Sequence, residues 1–231
     1  MKILVITGAS SGIGQATAAL FKAAGYNVIN LSRRPCPEVG VSSITCDLSQ
    51  PGFSQQIAAQ LTEQLDGIEE TVLIHNAALL ANDSVSTTDS DEFRRILEIN
   101  LVAPNSLNQL LIPLMEKGSS ILYVGSTLGE KAVPNSFSYV TSKHASIGMM
   151  RATCQDLAGT GIHTACVNPG FTDTEMLRAH VPEDVMPQIA ATSAFERLIR
   201  PEEIAETLLF AAQSPVINGA TINANLGQIE R

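Results

Sequence analysis

The segment KILVITGASSGIG, residues 2–14, decides the fold of this chain. It begins with a short, mostly apolar run that predicts a buried β-strand. Glycines then follow at Gly8, Gly12 and Gly14, before an amphipathic stretch that predicts a helix over 15–25. Glycines let a strand-to-helix turn bend and let its backbone approach a pyrophosphate, which the helix N-terminus would bind. The same spacing also fits an ordinary tight turn, so the surrounding sequence has to support the nucleotide-binding interpretation.

The rest of the chain alternates between apolar runs and amphipathic segments. The apolar runs predict strands over 2–7, 27–32, 42–48, 71–77, 119–126 and 162–170, with a weaker one over 220–225. The amphipathic segments predict helices over 15–25, 51–65, 90–115 (kinked or broken at Pro104), 137–159 and 201–213. This alternation predicts an α/β fold: a single-domain, Rossmann-type, doubly wound parallel sheet of about seven strands with helices on both faces. The predicted domain covers residues 1–231.

One long irregular stretch, 171–200, is interrupted by Pro182 and Pro187. A stretch of that length inside a compact domain is typical of a substrate lid. Its apolar residues indicate either an apolar pocket or packing of the lid against the core. These residues are Phe171, Met176, Leu177, Val181, Val185, Met186, Ile189 and Phe195.

Composition and charge restrict the possible partners. The chain is 45% hydrophobic and 16% charged, with a net charge of −9, which is typical of a globular domain that repels nucleic acid. The densest basic cluster is only Arg33-Arg34. The four cysteines are widely spaced, so we expect no metal site and a reducing compartment. The N-terminal apolar run is too short for a signal peptide or membrane span, which predicts a cytoplasmic protein with no membrane partner.

The end of the second predicted strand, NLSRR (30–34), indicates which cofactor is used. A carboxylate at this point would bind the adenosine ribose of NAD, but none is present. Ser32 and Arg33, with Arg34 beside them, could instead hold a 2′-phosphate, which favours NADP(H) and leaves NAD(H) possible. The alternative is a solvated pair of surface arginines. Asp47 follows the third strand. It could bind the cofactor, or it could equally be a turn or cap residue.

The segment YVTSK places Tyr139 and Lys143 one helical turn apart, on the same helix face. A unit charge about 4 Å away stabilises a phenolate by roughly 4 kcal/mol at an effective dielectric near 20. Such a phenol could give a proton to a carbonyl that receives hydride. The alternative is an exposed pair without function. Ser126 ends the fifth predicted strand, at the sheet edge where parallel sheets bind ligands, and could orient that carbonyl.

Over essentially its whole length, the chain resembles the short-chain dehydrogenase/reductase family. The resemblance implies that Ser126, Tyr139 and Lys143 are catalytic and that Asn100 holds a water in a proton relay. It also implies that Asn168-Pro169-Gly170 and the threonines after it contact the nicotinamide and diphosphate. The predicted cofactor-binding residues are Gly8, Ser10, Ser11, Gly12, Ile13, Gly14, Ser32, Arg33, Arg34, Asp47, Leu48, Asn76, Ala77, Tyr139, Lys143, Pro169, Gly170, Thr172 and Thr174.

Two features depart from the family pattern. After the fourth strand the chain has HNAA (75–78), so Ala78 stands where the family often has glycine. We interpret His75 as a packed histidine rather than a catalytic base, because Tyr139 already fills that role. Near the C-terminus, ATINANLG lacks the Asp-Gly-Gly common in the family, which affects the expected local turn and subunit contact.

These observations predict an NADP(H)-dependent oxidoreductase that acts on a small ketone or aldehyde, or on a secondary alcohol. The alternatives are a reductase of 3-oxoacyl thioesters on acyl carrier protein or CoA, and a pteridine reductase. A non-enzyme alternative is an NADPH-binding sensor or scaffold. The resemblance also predicts a homodimer or homotetramer, with the helices at 90–115 and 137–159 as candidate contacts.

Overall fold

A computed structural model describes residues 1–228, so residues 229–231 of the predicted domain lie outside it. The strands are β1 (Lys2–Thr7), β2 (Asn27–Ser32), β3 (Ser42–Thr45), β4 (Glu70–His75), β5 (Ser120–Val124), β6 (His163–Pro169) and β7 (Ala220–Ala224). They form one parallel sheet in the order β3-β2-β1-β4-β5-β6-β7. Strand order reverses between β1 and β4, so a ligand crevice is expected beyond the carboxyl ends of these two strands.

Helices cover both faces of the sheet. They are α1 (Gly12–Ala23), α2 (Phe53–Leu65), α3 (Ser90–Leu97), α4 (Ala103–Leu111), α5 (Phe137–Asp156), α6 (Glu175–His180), α7 (Met186–Ala190) and α8 (Pro201–Ala212). One hydrophobic core joins the sheet to α2, α4 and α5, and a second core joins the opposite face to α1 and α8. The predicted doubly wound parallel sheet with helices on both faces is confirmed.

The strand β1 shows why its apolar run does not alternate with polar residues. Ile3 and Val5 point into the first core, and Leu4 and Ile6 point into the second. All four side chains are at most 3% exposed. A strand between two helical layers needs apolar residues on both faces, and this requirement produces the continuous run.

The predicted helix over 90–115 is helical from Ser90 to Leu114 but not uniform. A five-residue π-helical segment, Glu98–Val102, joins α3 to α4, and a short 3₁₀ turn, Ile112–Leu114, follows α4. Pro104 is the second residue of α4, where its missing N–H is tolerated. The proline therefore accompanies a change of helix type rather than a break. π-Helical segments often occur at functional sites, and this one contains Asn100.

Two other predictions differ in detail from the structure. The third strand was expected to reach residue 48 but ends at Thr45, because Asp47 Oδ1 accepts hydrogen bonds from Ser49 N at 3.0 Å and Ser49 Oγ at 2.8 Å. These bonds close a turn.

The stretch 171–200 was expected to be irregular, yet it contains the short helices α6 and α7. Thr174 Oγ1 caps α6 by accepting from Leu177 N at 3.2 Å, a local signal that the proline-based prediction missed.

Within residues 1–228, no helix is both long and apolar enough to cross a membrane. In the same part of the chain, no group of three or more His, Cys, Asp or Glu side chains is arranged to hold a metal ion.

The four cysteines are unpaired, and Cys154 is the only one of them that is not buried. Burial raises the pKa of Cys46 and of Cys166 to about 11, so both stay protonated thiols at neutral pH.

Candidate active site

A cavity of about 1410 Å³ opens at the carboxyl ends of the strands. Its walls include residues that follow β1, β2, β4, β5 and β6. Every residue that the sequence predicted for cofactor binding lines this cavity, and so do Ser126, Tyr139 and Lys143. Asn100 and Asn168, which the family resemblance also placed at the site, do not line it. Residues far apart in the sequence therefore meet at the sheet edge where the strand order reverses.

The glycine loop, residues 7–14, needs its three glycines for two different reasons. Gly8 and Gly12 have φ angles of +74° and +55°, a region that strongly favours glycine. Gly14 has an ordinary φ but no room for a side chain. A Cβ at Gly14 would lie 2.6 Å from Asn76 Nδ2 and 2.9 Å from the carbonyl carbon of Gly8. The loop is thus pressed against the chain that follows β4.

Hydrogen bonds with two asparagines fix the glycine loop. Asn30, fully buried on β2, accepts a hydrogen bond from Ala9 N at 2.9 Å. Asn76 donates through Nδ2 to Thr7 O at 2.9 Å and to Gly8 O at 3.1 Å. Asn30 was expected only to be a non-acidic residue near the ribose, and its hydrogen bond to the loop was not predicted. The available signal was a polar amide inside the otherwise apolar run of β2, Asn27–Ser32.

The glycine loop has free donors for an anion. Ser11 precedes α1 but its side chain makes no capping hydrogen bond to the helix. The N–H groups of the first helical turn are therefore not satisfied by a side-chain cap, and Gly12, Ile13 and Gly14 of that turn line the cavity. Together with the positive end of the helix dipole, they fit a dinucleotide pyrophosphate.

Beyond β2, the cavity wall is basic. Ser32, Arg33 and Arg34 all line it, and both arginines are exposed. Arg34 Nη2 donates a hydrogen bond to Ser10 Oγ at 3.4 Å. The same nitrogen lies 3.5 Å from Glu175 Oε2 in an exposed ion pair. Hydrogen bonds from Ser49, with smaller contributions from the charges of Arg33 and Arg95, hold the pKa of Asp47 below its usual range. Asp47 is a turn residue, as one of its two interpretations predicted, and its role in cofactor binding stays a prediction.

The side chains of Tyr139 and Lys143 are buried at the cavity wall, with residue exposures of 8% and 4%. This burial excludes the alternative of a solvated surface pair. Lys143 Nζ lies over the phenol ring, 5.4 Å from its centre, and donates a hydrogen bond to Val124 O at 2.7 Å. Among residues 1–228 the Tyr139 hydroxyl makes no hydrogen bond. Its proton and its lone pairs are therefore available to a ligand in the cavity.

Ser126 follows β5 and begins a short 3₁₀ turn, Thr127–Gly129. Its Oγ accepts a hydrogen bond from Leu128 N at 3.1 Å. The backbone thus uses the acceptor side of the hydroxyl, and the hydroxyl hydrogen stays free to be donated. A ligand carbonyl in the cavity is a suitable acceptor for that hydrogen.

Asn100 lies behind the cavity wall, 6% exposed. Its Oδ1 accepts from Leu79 N at 2.8 Å, and its Nδ2 donates to Leu79 O at 3.0 Å and to Ser142 Oγ at 2.9 Å. Both amide hydrogens are used, so the side chain holds the loop after β4 against α5. The water relay implied by the family resemblance stays a prediction.

The apolar residues of the segment 171–200, which the sequence predicted to be a substrate lid, divide into two groups. Phe171, Met176, Leu177 and Val181 line the cavity. Val185, Met186, Ile189 and Phe195 do not; Met186 is packed inside and Phe195 is 66% exposed. Both interpretations of the lid residues are therefore partly right. Further apolar residues outside this segment line the cavity and were not predicted, among them Leu79, Leu80, Ile99, Leu128 and Val133.

His75 is packed at the end of β4, 5% exposed, as predicted. Its Nε2 pairs with Asn108 Oδ1 at 2.8 Å, and its ring lies 4.9 Å from that of Tyr123. Burial lowers its pKa to about 4, so the ring is neutral at physiological pH. It is not among the cavity-lining residues, whereas Ala78 in the same segment is.

Comparison with known proteins extends these observations. A family model described as enoyl-(acyl carrier protein) reductase matches residues 8–228. Protein FixR of Bradyrhizobium diazoefficiens is 31% identical, over 98% of this chain and 86% of that protein. The 3-oxoacyl-(acyl-carrier-protein) reductase FabG of Thermotoga maritima is 27% identical, over 99% of this chain and 98% of that protein. The ligand-free structure of Thermoplasma acidophilum aldohexose dehydrogenase superposes with a TM-score of 0.90 at 27% identity, covering 98% and 93% of the two chains.

Proposed function

Because this chain belongs to the short-chain dehydrogenase/reductase family and is therefore an oxidoreductase of CH–OH and C=O groups, we propose that it transfers hydride between NADP(H) and a small ketone or aldehyde, or the matching secondary alcohol. One observation supports this most strongly. A single cavity is lined both by the glycine loop and by the buried Tyr139 and Lys143 side chains. Cofactor binding and proton transfer can thus take place side by side.

In the proposed mechanism, a bound nicotinamide supplies hydride to the carbonyl carbon or accepts it in the reverse direction. Ser126 donates its free hydroxyl hydrogen to the carbonyl oxygen and orients it. Tyr139 gives a proton to the same oxygen, and Lys143 stabilises the phenolate that results. Burial of this pair makes the interaction stronger than it would be in water. The lid over 171–200 is proposed to cover the substrate.

We further propose that NADP(H) is preferred over NAD(H). The net charge of the chain is −9, yet the cavity wall includes Arg33, Arg34, Arg95 and Lys143 beside the acids Asp47 and Glu175. Positive charge gathered in one concave site attracts a highly anionic dinucleotide. At the end of β2, serine and arginine stand where a ribose-binding carboxylate would favour NAD.

Arg33→Ala should separate the two cofactors. Losing a charge-assisted contact with the 2′-phosphate costs about 1.5–3 kcal/mol, so the Kd for NADPH should rise by roughly 10- to 100-fold. The Kd for NADH should stay unchanged, because NADH lacks that phosphate. Arg94→Ala is the matched control, since Arg94 lies outside the cavity in an exposed pair with Asp91. Equal weakening of NADH and NADPH, measured by fluorescence titration, would disprove the assignment.

Gly14→Ala tests the glycine loop. A Cβ there meets Asn76 and the backbone of Gly8, so the loop has to shift and NADPH affinity should fall by about tenfold or more. Gly148→Ala is the control, because Gly148 is exposed within α5 and a Cβ there meets nothing within 4 Å. That control should stabilise the protein by about 1 kcal/mol in thermal unfolding and leave NADPH binding intact. Unchanged NADPH affinity in Gly14→Ala would refute the proposed role of the loop.

A second candidate substrate class is a 3-oxoacyl thioester on acyl carrier protein or CoA. The matched family model and the Thermotoga maritima relative favour it. Acyl carrier proteins are acidic, however, and the arginines that line the cavity are proposed to bind the cofactor, so a chain of net charge −9 is poorly suited to dock such a carrier. The apolar lining by Phe171, Met176, Leu177 and Val181 supports a small diffusible carbonyl compound. Pteridine reduction is a further alternative.

The proposed function is tested by NADPH oxidation against a chemically diverse carbonyl panel, with NADH in parallel. The panel includes aliphatic and aromatic ketones, aldehydes, a 3-oxoacyl-CoA and a pterin. We expect turnover of at least one small ketone or aldehyde, faster with NADPH than with NADH. If NADPH binds but no compound consumes it, the sensor or scaffold alternative replaces the enzyme.

We also propose a cytoplasmic location and a homodimer or homotetramer. The widely spaced, unpaired cysteines support a reducing compartment. The candidate subunit contacts are the helices around 90–115 and 137–159. Val102 and Phe137, which are 44% and 36% exposed there, are apolar side chains that such a contact would cover.

A further inference from the structure

We propose that Asp83 is a positioning residue for Tyr139, because it caps from a separate loop the N-terminus of the helix that holds Tyr139 and Lys143. This inference rests on the proposed acid–base role of Tyr139. Asp83 itself does not line the cavity, so it would act through the helix rather than on a substrate.

The helix α5 does not obtain its cap from the residue before it. Ser136 precedes α5, and its side chain makes no capping hydrogen bond. Asp83 supplies the cap instead: its Oδ1 accepts from Ser138 N at 3.0 Å, and its backbone oxygen accepts from Phe137 N at 3.2 Å. Ser138 immediately precedes Tyr139. The capped amides therefore belong to the same helical turn as the phenol.

A third hydrogen bond fixes the turn before the helix. Asp83 N donates to Asn135 O at 3.1 Å. Asn135 has a φ of +59°, a left-handed conformation that is uncommon for residues other than glycine. Such a conformation persists when the surrounding contacts determine it. Asp83 thus holds both the turn and the first residues of α5.

The charge of Asp83 suits this position. Burial by itself raises the pKa of the Asp83 carboxyl, but the neighbouring polar groups of Ser138, Thr88 and Phe137 outweigh burial and hold the pKa below its usual range. The Ser138 hydroxyl contributes by its proximity, although neither it nor Asp83 Oδ2 reaches full hydrogen-bond geometry in residues 1–228. A carboxylate at a helix N-terminus also interacts favourably with the helix dipole.

Asn100 fixes the next turn of α5 in a similar way, because it joins Leu79 to Ser142. Ser138 and Ser142 are four residues apart, and each immediately precedes one member of the Tyr139 and Lys143 pair. The loop that follows β4 therefore holds two successive turns of α5. Since a misplacement of about 1 Å can cost roughly a hundredfold in rate, loss of one attachment should affect the chemistry.

The test compares Asp83→Ala with Asp89→Ala. Asp89 caps α3 in the same chemical manner, accepting from Asp91 N at 2.9 Å and Glu92 N at 3.1 Å. We expect Asp83→Ala to lower kcat by about tenfold or more, with the KM for NADPH within about twofold of wild type. Asp89→Ala should lower the melting temperature to a similar extent with kcat almost unchanged. Asp83→Asn keeps an Oδ1 acceptor and should recover most of kcat.

A second readout does not depend on turnover. Amide hydrogen exchange at residues 138–140 should be faster in Asp83→Ala than in wild type or Asp89→Ala. If wild type consumes no NADPH with any carbonyl, the proposed function fails while exchange still tests the cap. Unchanged exchange in Asp83→Ala overturns the capping role. The positioning role is overturned if Asp83→Ala shows faster exchange with an unchanged kcat. It is also overturned if Asp83→Ala and Asp89→Ala lose kcat equally.

Discussion

Tyr139→Phe should lower kcat by about a thousandfold, in the range typical of a lost general acid, while NADPH still binds. Phenylalanine keeps the buried ring beneath Lys143 Nζ and removes only the hydroxyl group. Because that hydroxyl makes no hydrogen bond among residues 1–228, its loss should change folding little. The measurements are steady-state turnover of the best carbonyl substrate, NADPH affinity by fluorescence, and thermal unfolding.

Tyr123→Phe is the matched control for this variant. Tyr123 is also buried, at 2% exposure, but its hydroxyl is hydrogen-bonded to Asn108 Nδ2 at 2.8 Å and lies near Thr153 Oγ1 at 3.3 Å. It does not line the cavity. The control should lose about 1 kcal/mol of stability and keep its kcat. Turnover of Tyr139→Phe within a few-fold of wild type would remove the proposed acid–base role.

Lys143→Met should have the second largest effect. A unit charge 5.4 Å from the ring centre stabilises negative charge on that ring by about 3 kcal/mol at an effective dielectric of 20, so kcat should fall by roughly a hundredfold. Methionine has a similar length and preserves apolar packing around the buried stem. It cannot donate to Val124 O, so we also expect a loss of about 1–3 kcal/mol in stability.

The effect of Lys143→Met on cofactor binding separates its two proposed roles. The family resemblance implies that this lysine also contacts the nicotinamide ribose, so the Kd for NADPH should rise as well. A single-turnover rate at saturating NADPH removes the binding contribution and reports on the chemical step. A Lys143→Met rate equal to wild type under those conditions would contradict the electrostatic role.

Much of the fold could be predicted because its signals are local. β1 over Lys2–Thr7 and β2 over Asn27–Ser32 have the predicted boundaries, since a strand buried on both faces needs a continuous apolar run. The glycine loop could also be predicted, because its turn and its close approach each require glycine at a fixed spacing.

What the sequence did not predict depends on contacts between distant residues. The hydrogen bond between Asp83 and Ser138 spans 55 positions, and that between Asn30 and Ala9 spans 21. No local pattern identifies such partners. The π-helical segment at Glu98–Val102 was missed for a related reason, because its apolar residues fit an α-helix equally well. Lining residues such as Leu79 and Leu128 lie in loops whose course the whole fold determines.

The most direct test of the account is a double-mutant cycle between Tyr139 and Lys143, read from single-turnover rates at saturating NADPH. If the ammonium acts through the phenol, its removal has little left to affect once the hydroxyl is gone. Adding Lys143→Met to Tyr139→Phe should therefore lower the rate further by less than about threefold. If the two losses multiply in full, the lysine and the tyrosine act independently and the proposed mechanism is wrong.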